Sequence, residues 1–172
     1  METKRLTLRQ MTAGDFDAVH AYASDSEVCQ YMEWGPNTPE ETKTHLAKCE
    51  AEERQAPRTV WTFALIRKTD GLLIGSCSLT INSSTNKQAS MGYVLSRDVW
   101  GQGYATEAAK AVLDFGFQTL GLHRIWATCR PNNIGSAKVM QKIGMEYEGR
   151  LKDDKLFHGE WYDSLLYAVL NK

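Results

Sequence analysis

Apolar and polar residues alternate along several stretches of the chain, which is the pattern of strands with one buried face. Leu6 and Leu8 alternate with Thr7 and Arg9, for example. The pattern predicts, in chain order, a strand at Arg5–Met11, helices at Asp15–Ser24, Glu27–Met32 and Thr38–Gln55, strands at Val60–Lys68, Leu72–Ile81 and Ala89–Ser96, a helix ending at Gly121, a strand at Arg124–Arg130, a helix from Asn132 or Asn133 to Gly144, and two closing strands. With the two short early helices taken together, the order is β-αα-βββ-α-β-α-ββ. We therefore expect one α/β domain over residues 1–172, with helices flanking a mixed sheet.

Local signals fix several of these boundaries. Thr38, followed by Pro39 and by Glu41 three residues on, is a capping box that begins a helix. Asp70-Gly71 is a hairpin turn signal between two strands. A helix start at Thr38 and a turn after the strand that begins at Val60 are thus predicted.

The segment Met91–Lys110, MGYVLSRDVWGQGYATEAAK, combines an apolar strand, a turn with two glycines and the start of an amphipathic helix. Gly101, Gly103 and Ala105 lie where the backbone enters that helix. Small residues allow a ligand close to the main chain, and the unpaired N–H groups of a helix start attract phosphate. A Walker loop is excluded because no Gly-Lys-Ser/Thr follows, and Thr106 stands where a dinucleotide fingerprint needs a third small residue. The segment therefore predicts a pyrophosphate site of another kind.

Composition narrows the function classes. The net charge of −1 gives no case for nucleic acid or anionic membranes. The beginning, METKRLTLRQM, lacks the apolar run of a signal peptide, and we expect no membrane span. The cysteines and histidines are scattered without metal-ligand spacing, namely Cys29, Cys49, Cys77, Cys129, His20, His45, His123 and His158. We therefore expect reduced core thiols, no metal site and a cytoplasmic location.

Three ordered motifs carry a family resemblance. Trp100–Ala108, WGQGYATEA, resembles the acetyl-CoA motif of the GNAT N-acetyltransferases in its RimJ/RimL form. Trp100 stands where the general family pattern has Gln or Arg. Arg130–Met145 resembles the second cofactor element, and His158–Leu170, HGEWYDSLLYAVL, resembles the terminal hairpin. The resemblance implies a GNAT fold, with a mostly antiparallel sheet, over essentially the whole chain.

The resemblance also implies how acetyl-CoA binds. The strand before the glycine loop and the strand around Ile125 should diverge and leave a slot for pantetheine. Backbone groups of Val94, Leu95 and Ser96 would bond the pantetheine amides, and an N–H near Leu95 would polarise the thioester carbonyl. Backbone N–H groups of the loop would hold the pyrophosphate, from residues Gln102, Gly103, Tyr104, Ala105 and Thr106.

Asn133 and Ser136 open the helix after Arg130. In the family the Asn bonds pantetheine, and some RimL-like members place the Ser near the CoA sulfur. Many other members use a tyrosine seven positions after that Asn as proton donor, but this chain has Met140 there. Ser136 is therefore the candidate donor to the leaving sulfur, against the alternative that it is only a small residue in a first helical turn.

The resemblance implies acceptor residues at Tyr31, Glu33 and Trp34, because the family builds its acceptor pocket between the early helices. Asp163, on the last strand, is a further candidate. Glu33, Glu160 and Asp163 are the candidate bases, and each has the alternative of being a solvated or structural carboxylate. No base is assigned.

The resemblance implies acetyl transfer from acetyl-CoA to a primary amine by direct attack, usually a protein N-terminal α-amine of a ribosomal protein. Acetylation of a small amine such as an antibiotic, polyamine or amino-acid derivative is the alternative within enzymes. A non-catalytic acyl-CoA sensor is the alternative from another class. The chain would act as a monomer or homodimer.

Overall fold

The computed structural model describes residues 1–157 and 159–172, and within them seven strands form one sheet. His158, the first residue of the predicted terminal hairpin, lies outside the described residues. The strands are β1 Leu6–Gln10, β2 Val60–Arg67, β3 Leu73–Ser83, β4 Gln88–Leu95, β5 Arg124–Cys129, β6 Glu146–Phe157 and β7 Glu160–Leu170. The helices are α1 Phe16–Ala23, α2 Ser26–Cys29, α3 Pro39–Glu53, α4 Tyr104–Gln118 and α5 Ile134–Lys142. The order confirms the predicted GNAT-type α/β arrangement.

The sheet runs β1-β2-β3-β4-β5-β7-β6. Every neighbouring pair is antiparallel except β4 and β5, which run parallel. A parallel connection needs a crossover, and α4 provides it because it joins the end of β4 to the start of β5. The parallel pair lies in the middle of the sheet, so β3 flanks it on one side and β7 on the other.

Helices cover the two faces of the sheet with separate apolar clusters. The larger cluster joins α4 and α5 to the sheet through fully buried residues such as Leu79, Val112, Ile125 and Met140. The smaller cluster joins α1 and α3 to it through residues that include Leu46. Among the described residues, no helix has the length and apolar character that crossing a membrane requires.

Predicted boundaries hold where a cap defines them. Thr38 Oγ1 accepts from Glu41 N at 3.2 Å, and Glu41 Oε2 accepts from Thr38 N at 2.7 Å, which confirms the capping box of α3. The helix predicted at Glu27–Met32 is shorter and begins earlier, at Ser26, because Asp25 accepts from Glu27 N at 2.9 Å. The predicted loop after Ile81 begins two residues later, because β3 continues to Ser83.

Candidate active site

A slot opens between β4 and β5. The two strands pair at three positions, of which the last is Ser90 with Trp126. Beyond that point β4 continues to Leu95 and β5 to Cys129 with no pairing between them. The predicted divergence of the two strands is therefore present in the structure.

The pairing of β4 with β3 decides which backbone groups face the slot. Ser96 N donates to Ile74 O at 2.9 Å, and Ser96 O accepts from Val99 N at 3.3 Å. Hydrogen-bonded pairs alternate along an antiparallel ladder, so the backbone of Val94 also faces β3, whereas that of Leu95 faces the slot. The N–H of Ser96 and the main chain of Val94 thus bond β3, and the Ser96 carbonyl accepts within the following turn; their contact with pantetheine stays a prediction. The N–H of Leu95 stays a predicted ligand, and Tyr93 has its backbone on the same side.

The glycine loop after β4 presents a row of backbone donors. Gly101 has a φ of +74° and Gly103 a φ of +82°, a left-handed conformation that favours glycine. A Cβ on Gly101 would meet no atom within 4 Å, so that side of the loop faces open space. In the described part of the chain, the N–H groups from Gln102 to Thr106 have no protein acceptor, and the first helical bond of α4 runs from Glu107 N to Gly103 O. The loop therefore retains the free donors that an anion requires.

Arg5, just before β1, holds this loop in place. Its Nη1 donates to Gln102 O at 2.8 Å, and its Nε donates to Glu107 Oε2 at 2.6 Å. The guanidinium carbon lies 4.2 Å from the ring centroid of Tyr104. Burial would raise the pKa of Glu107, but hydrogen bonds from Thr3 and Arg5 hold that pKa below its usual range. No sequence signal marks Arg5 for this role, because its partners lie about a hundred residues away in the chain.

Trp100 connects the loop to the end of β4. Its indole Nε1 donates to Leu95 O at 2.9 Å, while the ring remains partly exposed. The carbonyl of Leu95 thus has a partner within the protein, and its N–H is the group left for a ligand.

Helix α5 places the hydroxyl of Ser136 next to the slot. Asn133 caps the helix by accepting from Ser136 N at 3.1 Å, which confirms one of the two predicted caps. Ser136 Oγ lies 2.9 Å from Tyr93 Oη, and that phenol also lies 3.0 Å from Ser136 O. Burial raises the pKa of Tyr93, so its hydroxyl stays protonated and can donate. Met140 is fully buried in the core and has no access to the slot.

Tyr93 is a site residue that the sequence analysis missed. It shares a face of β4 with Met91 and Leu95, which both belong to the larger apolar cluster, so the alternation alone predicts core. A buried tyrosine hydroxyl generally needs a hydrogen-bond partner, so a tyrosine on this buried face indicates a polar contact. The partner, Ser136, lies 43 residues away.

The predicted acceptor residues lie at two places. Glu33 Oε1 lies 3.2 Å from Lys155 Nζ, so the segment after α2 meets the β6–β7 hairpin. Trp34 packs against the smaller apolar cluster, and Tyr31 is half-buried. Acceptor binding by Tyr31, Glu33 and Trp34 stays a prediction.

Asp163 stabilises the hairpin. Its carboxylate accepts from Asp153 N at 3.0 Å and from Arg150 Nε at 2.5 Å, across an irregularity in the β6–β7 pairing. These bonds, that of Asp153 first, hold the pKa of Asp163 below its usual range. Glu160 accepts from Tyr162 Oη at 2.7 Å. Each of the three candidate bases therefore already has a partner.

A cleft of about 210 Å³ adjoins the end of β4. Its lining comes from α1, from the N-cap of α2 and from the turn after β4, and consists of Ala21, Tyr22, Asp25, Ser96, Arg97 and Asp98. Arg97 is engaged there with Asp25 and Glu27. Within residues 1–157 and 159–172, no group of three or more His, Cys, Asp or Glu side chains is arranged to hold a metal ion.

Comparisons with known proteins agree with this geometry. A family model described as the acetyltransferase (GNAT) domain matches residues 5–146. The uncharacterized N-acetyltransferase YnaD of Bacillus subtilis is 36% identical over 170 residues, which cover 99% of this chain and 96% of YnaD. The crystal structure of a GNAT-family acetyltransferase from Bacillus anthracis superposes with a TM-score of 0.87 at 35% identity, covering 99% of this chain and 97% of that one.

Other similar proteins differ in their named acceptors. A ribosomal-protein-S5-alanine acetyltransferase from Vibrio fischeri superposes with a TM-score of 0.84 at 25% identity, covering 99% of this chain and 96% of its own. The spermidine N(1)-acetyltransferase of Escherichia coli K12 is 25% identical over 100 residues, which cover 58% of this chain and 54% of that enzyme. Protein and polyamine acceptors thus both occur among these similar proteins.

Proposed function

The chain belongs to the GNAT family of acetyltransferases, which use acetyl-CoA, and is an N-acetyltransferase; we propose that its acceptor is the α-amine at the N-terminus of a protein. The observation that carries this proposal is the engagement of every candidate base. Glu33, Glu160 and Asp163 are held by Lys155, Tyr162 and Arg150 respectively.

An acceptor of low pKa suits such a site. A free α-amine has a pKa of about 7.7–8.0, whereas a lysine amine has one of about 10.4. Near neutral pH the α-amine is therefore neutral to a useful fraction without a strong base. A lysine side chain or a polyamine would demand more proton abstraction than these engaged carboxylates offer.

The residues of the slot suit acetyl-CoA. The free N–H groups from Gln102 to Thr106 would hold the pyrophosphate, and Asn133 would bond pantetheine. Anion stabilisation at an exposed helix start contributes about 0.3–1 kcal/mol, so several direct N–H bonds must add to it. The open side of Gly101 would let the phosphates approach these N–H groups.

In the reaction, the neutral amine nitrogen attacks the thioester carbonyl, forming the C–N bond while the C–S bond breaks; CoA leaves as the thiolate and the nitrogen releases one proton to water. The N–H of Leu95 polarises the carbonyl, because it faces the slot. Ser136 donates a hydrogen bond to the departing sulfur, with Tyr93 at 2.9 Å orienting its hydroxyl. A thiolate with a pKa of about 8.5 leaves readily, so this assistance need not be strong.

Initial rates with matched peptides test the acceptor. Peptides with free Ser, Ala or Met N-termini should react faster than the same peptides N-blocked and carrying lysine, and the rate should rise with pH through about 8 as the amine loses its proton. A faster reaction with blocked lysine peptides, spermidine or aminoglycosides would refute the acceptor. A protein that binds acetyl-CoA but acetylates no amine would instead be a sensor.

A further inference from the structure

Arg130 is a cationic residue without an anionic partner at the mouth of the slot. It directly follows β5, and its backbone O accepts from Asn133 N at 2.9 Å. In the described part of the chain, the guanidinium forms no ion pair, and its Nη2 is buried without a hydrogen-bond partner. Buried polar groups nearly always have a partner, so this donor requires an explanation.

The nearby carboxylates do not supply the partner. Glu33 is engaged by Lys155, Asp163 by Arg150, and Glu160 by the hydroxyl of Tyr162. None of these three carboxylates is paired with Arg130.

Two aromatic rings lie beside that guanidinium. Its Cζ lies 3.7 Å from the ring centroid of Tyr162 and 5.6 Å from that of Phe157. The N–H groups of a guanidinium lie in one plane, where they match a carboxylate in two parallel hydrogen bonds. The arrangement is thus suited to an anion that arrives from outside the protein.

Arg130 also lies on the face of the sheet opposite α4 and α5. Alternate residues Ile125, Ala127 and Cys129 of β5 are buried against α4 and α5, so Arg130 is on the opposite face. The last β4–β5 pair is Ser90 with Trp126. Arg130 comes four residues after Trp126, and Leu95 comes five residues after Ser90 on the other wall of the slot. At about 3.3 Å per residue, Arg130 and the Leu95 N–H are at similar heights across the slot.

We propose that Arg130 binds a carboxylate of the acceptor, so that the preferred substrates are peptides with a free α-amine and Asp or Glu at their second or third position. Because Arg130 and the Leu95 N–H are at similar heights, we expect the carboxylate to lie only one or two residues from the α-amine, since an extended residue spans about 3.3–3.6 Å. The same cation would repel a polycationic amine. This inference rests on the proposed function, because it assumes that the acceptor is a peptide N-terminus.

Matched peptides that differ only by Glu or Gln at the second or third position test the inference. With the wild-type protein, the Glu peptide should have a kcat/KM about tenfold higher, as expected for a hydrogen-bonded charge pair. Arg130→Gln should reduce this ratio to about one, and Arg130→Lys should retain part of it. The control is Arg124→Gln, on the same face at the other end of β5, where Arg124 is paired with Glu148; it should keep the preference.

Calorimetric binding of the same peptides to the protein with CoA provides a readout without turnover. The Glu peptide should bind about tenfold more tightly, and Arg130→Gln should abolish the difference. Equal acetylation of Glu and Gln peptides by the wild type overturns the inference and leaves the proposed function intact. Preferential binding of the Glu peptide without acetylation supports Arg130 as an anion site and refutes the proposed function. Absence of both acetylation and binding overturns both.

Discussion

At the residue scale, the contact between Tyr93 and Ser136 has the clearest consequence for catalysis. The phenol oxygen lies 2.9 Å from the serine hydroxyl, and the raised pKa that burial gives Tyr93 keeps it protonated. The tyrosine O–H can donate a hydrogen bond to Ser136 Oγ, which leaves the serine O–H available to donate to the sulfur. Tyr93 is thus a positioning residue that acts through Ser136.

We expect Ser136→Ala and Tyr93→Phe each to lower kcat about tenfold, about 1.4 kcal/mol, with little change in the KM for acetyl-CoA. The double variant should be no slower than either single variant, because the two groups act as one unit. Tyr147→Phe, at an exposed tyrosine of β6, is the matched control. Additive losses in the double variant, or a wild-type kcat in Ser136→Ala, would contradict this joint role and leave both residues with a structural role only.

Side-chain faces follow from alternation in the sequence, but backbone partners do not. The alternation of Met91 and Leu95 correctly predicts a buried face of β4. Whether the N–H of Ser96 faces β3 or the slot depends on the register with Ile74, which is set by residues more than twenty positions earlier. The positions of Tyr93 and Ser136 likewise become a site only through packing of α5 on the sheet.

At the element scale, the start of α4 depends on a residue outside the helix. Arg5 contacts the loop carbonyl of Gln102, the helix carboxylate of Glu107 and the ring of Tyr104. The free loop donors keep their arrangement because this one side chain joins the chain before β1 to the helix start. Capping signals in the sequence predict where a helix begins, but they contain no information on such a remote contact.

Arg5→Met should therefore raise the KM for acetyl-CoA about tenfold, the effect of losing roughly one charge-assisted hydrogen bond to the loop. Lys68→Met is the matched control, because Lys68 contacts Glu2 and Thr3 of the same N-terminal segment without touching the loop. Steady-state kinetics at saturating acceptor measures both. Equal KM values in the two variants would contradict a role for Arg5 in arranging the loop.

At the scale of the whole molecule, the ion pair of Glu33 and Lys155 joins segments that are more than a hundred residues apart. The two side chains are 57% and 40% exposed, so the pair contributes at most about 1 kcal/mol to stability. Its effect is therefore expected on the position of the hairpin relative to the segment after α2.

Glu33→Gln should raise the KM for the peptide acceptor about two- to fivefold, in line with the energy of an exposed pair, and leave the KM for acetyl-CoA unchanged. The exchanged pair Glu33→Lys with Lys155→Glu should recover most of the loss. Lys43→Gln, which breaks an exposed pair with Glu40 on α3, serves as control. If the exchange fails to recover the acceptor KM, Glu33 contacts the acceptor itself.

The interrupted pairing of β4 and β5 also has a thermodynamic consequence for the protein without its ligand. Beyond Ser90 and Trp126, each strand has an edge of backbone groups with no neighbouring strand, and an unpaired edge is a site of local opening and of aggregation. A ligand that binds only the folded state stabilises it by mass action, by about 2.7 kcal/mol at a concentration of 100 times its Kd. CoA should accordingly raise the melting temperature and slow amide hydrogen exchange at Tyr93 and Leu95 more than at Val94, because ligand binding completes the hydrogen bonding of the sheet.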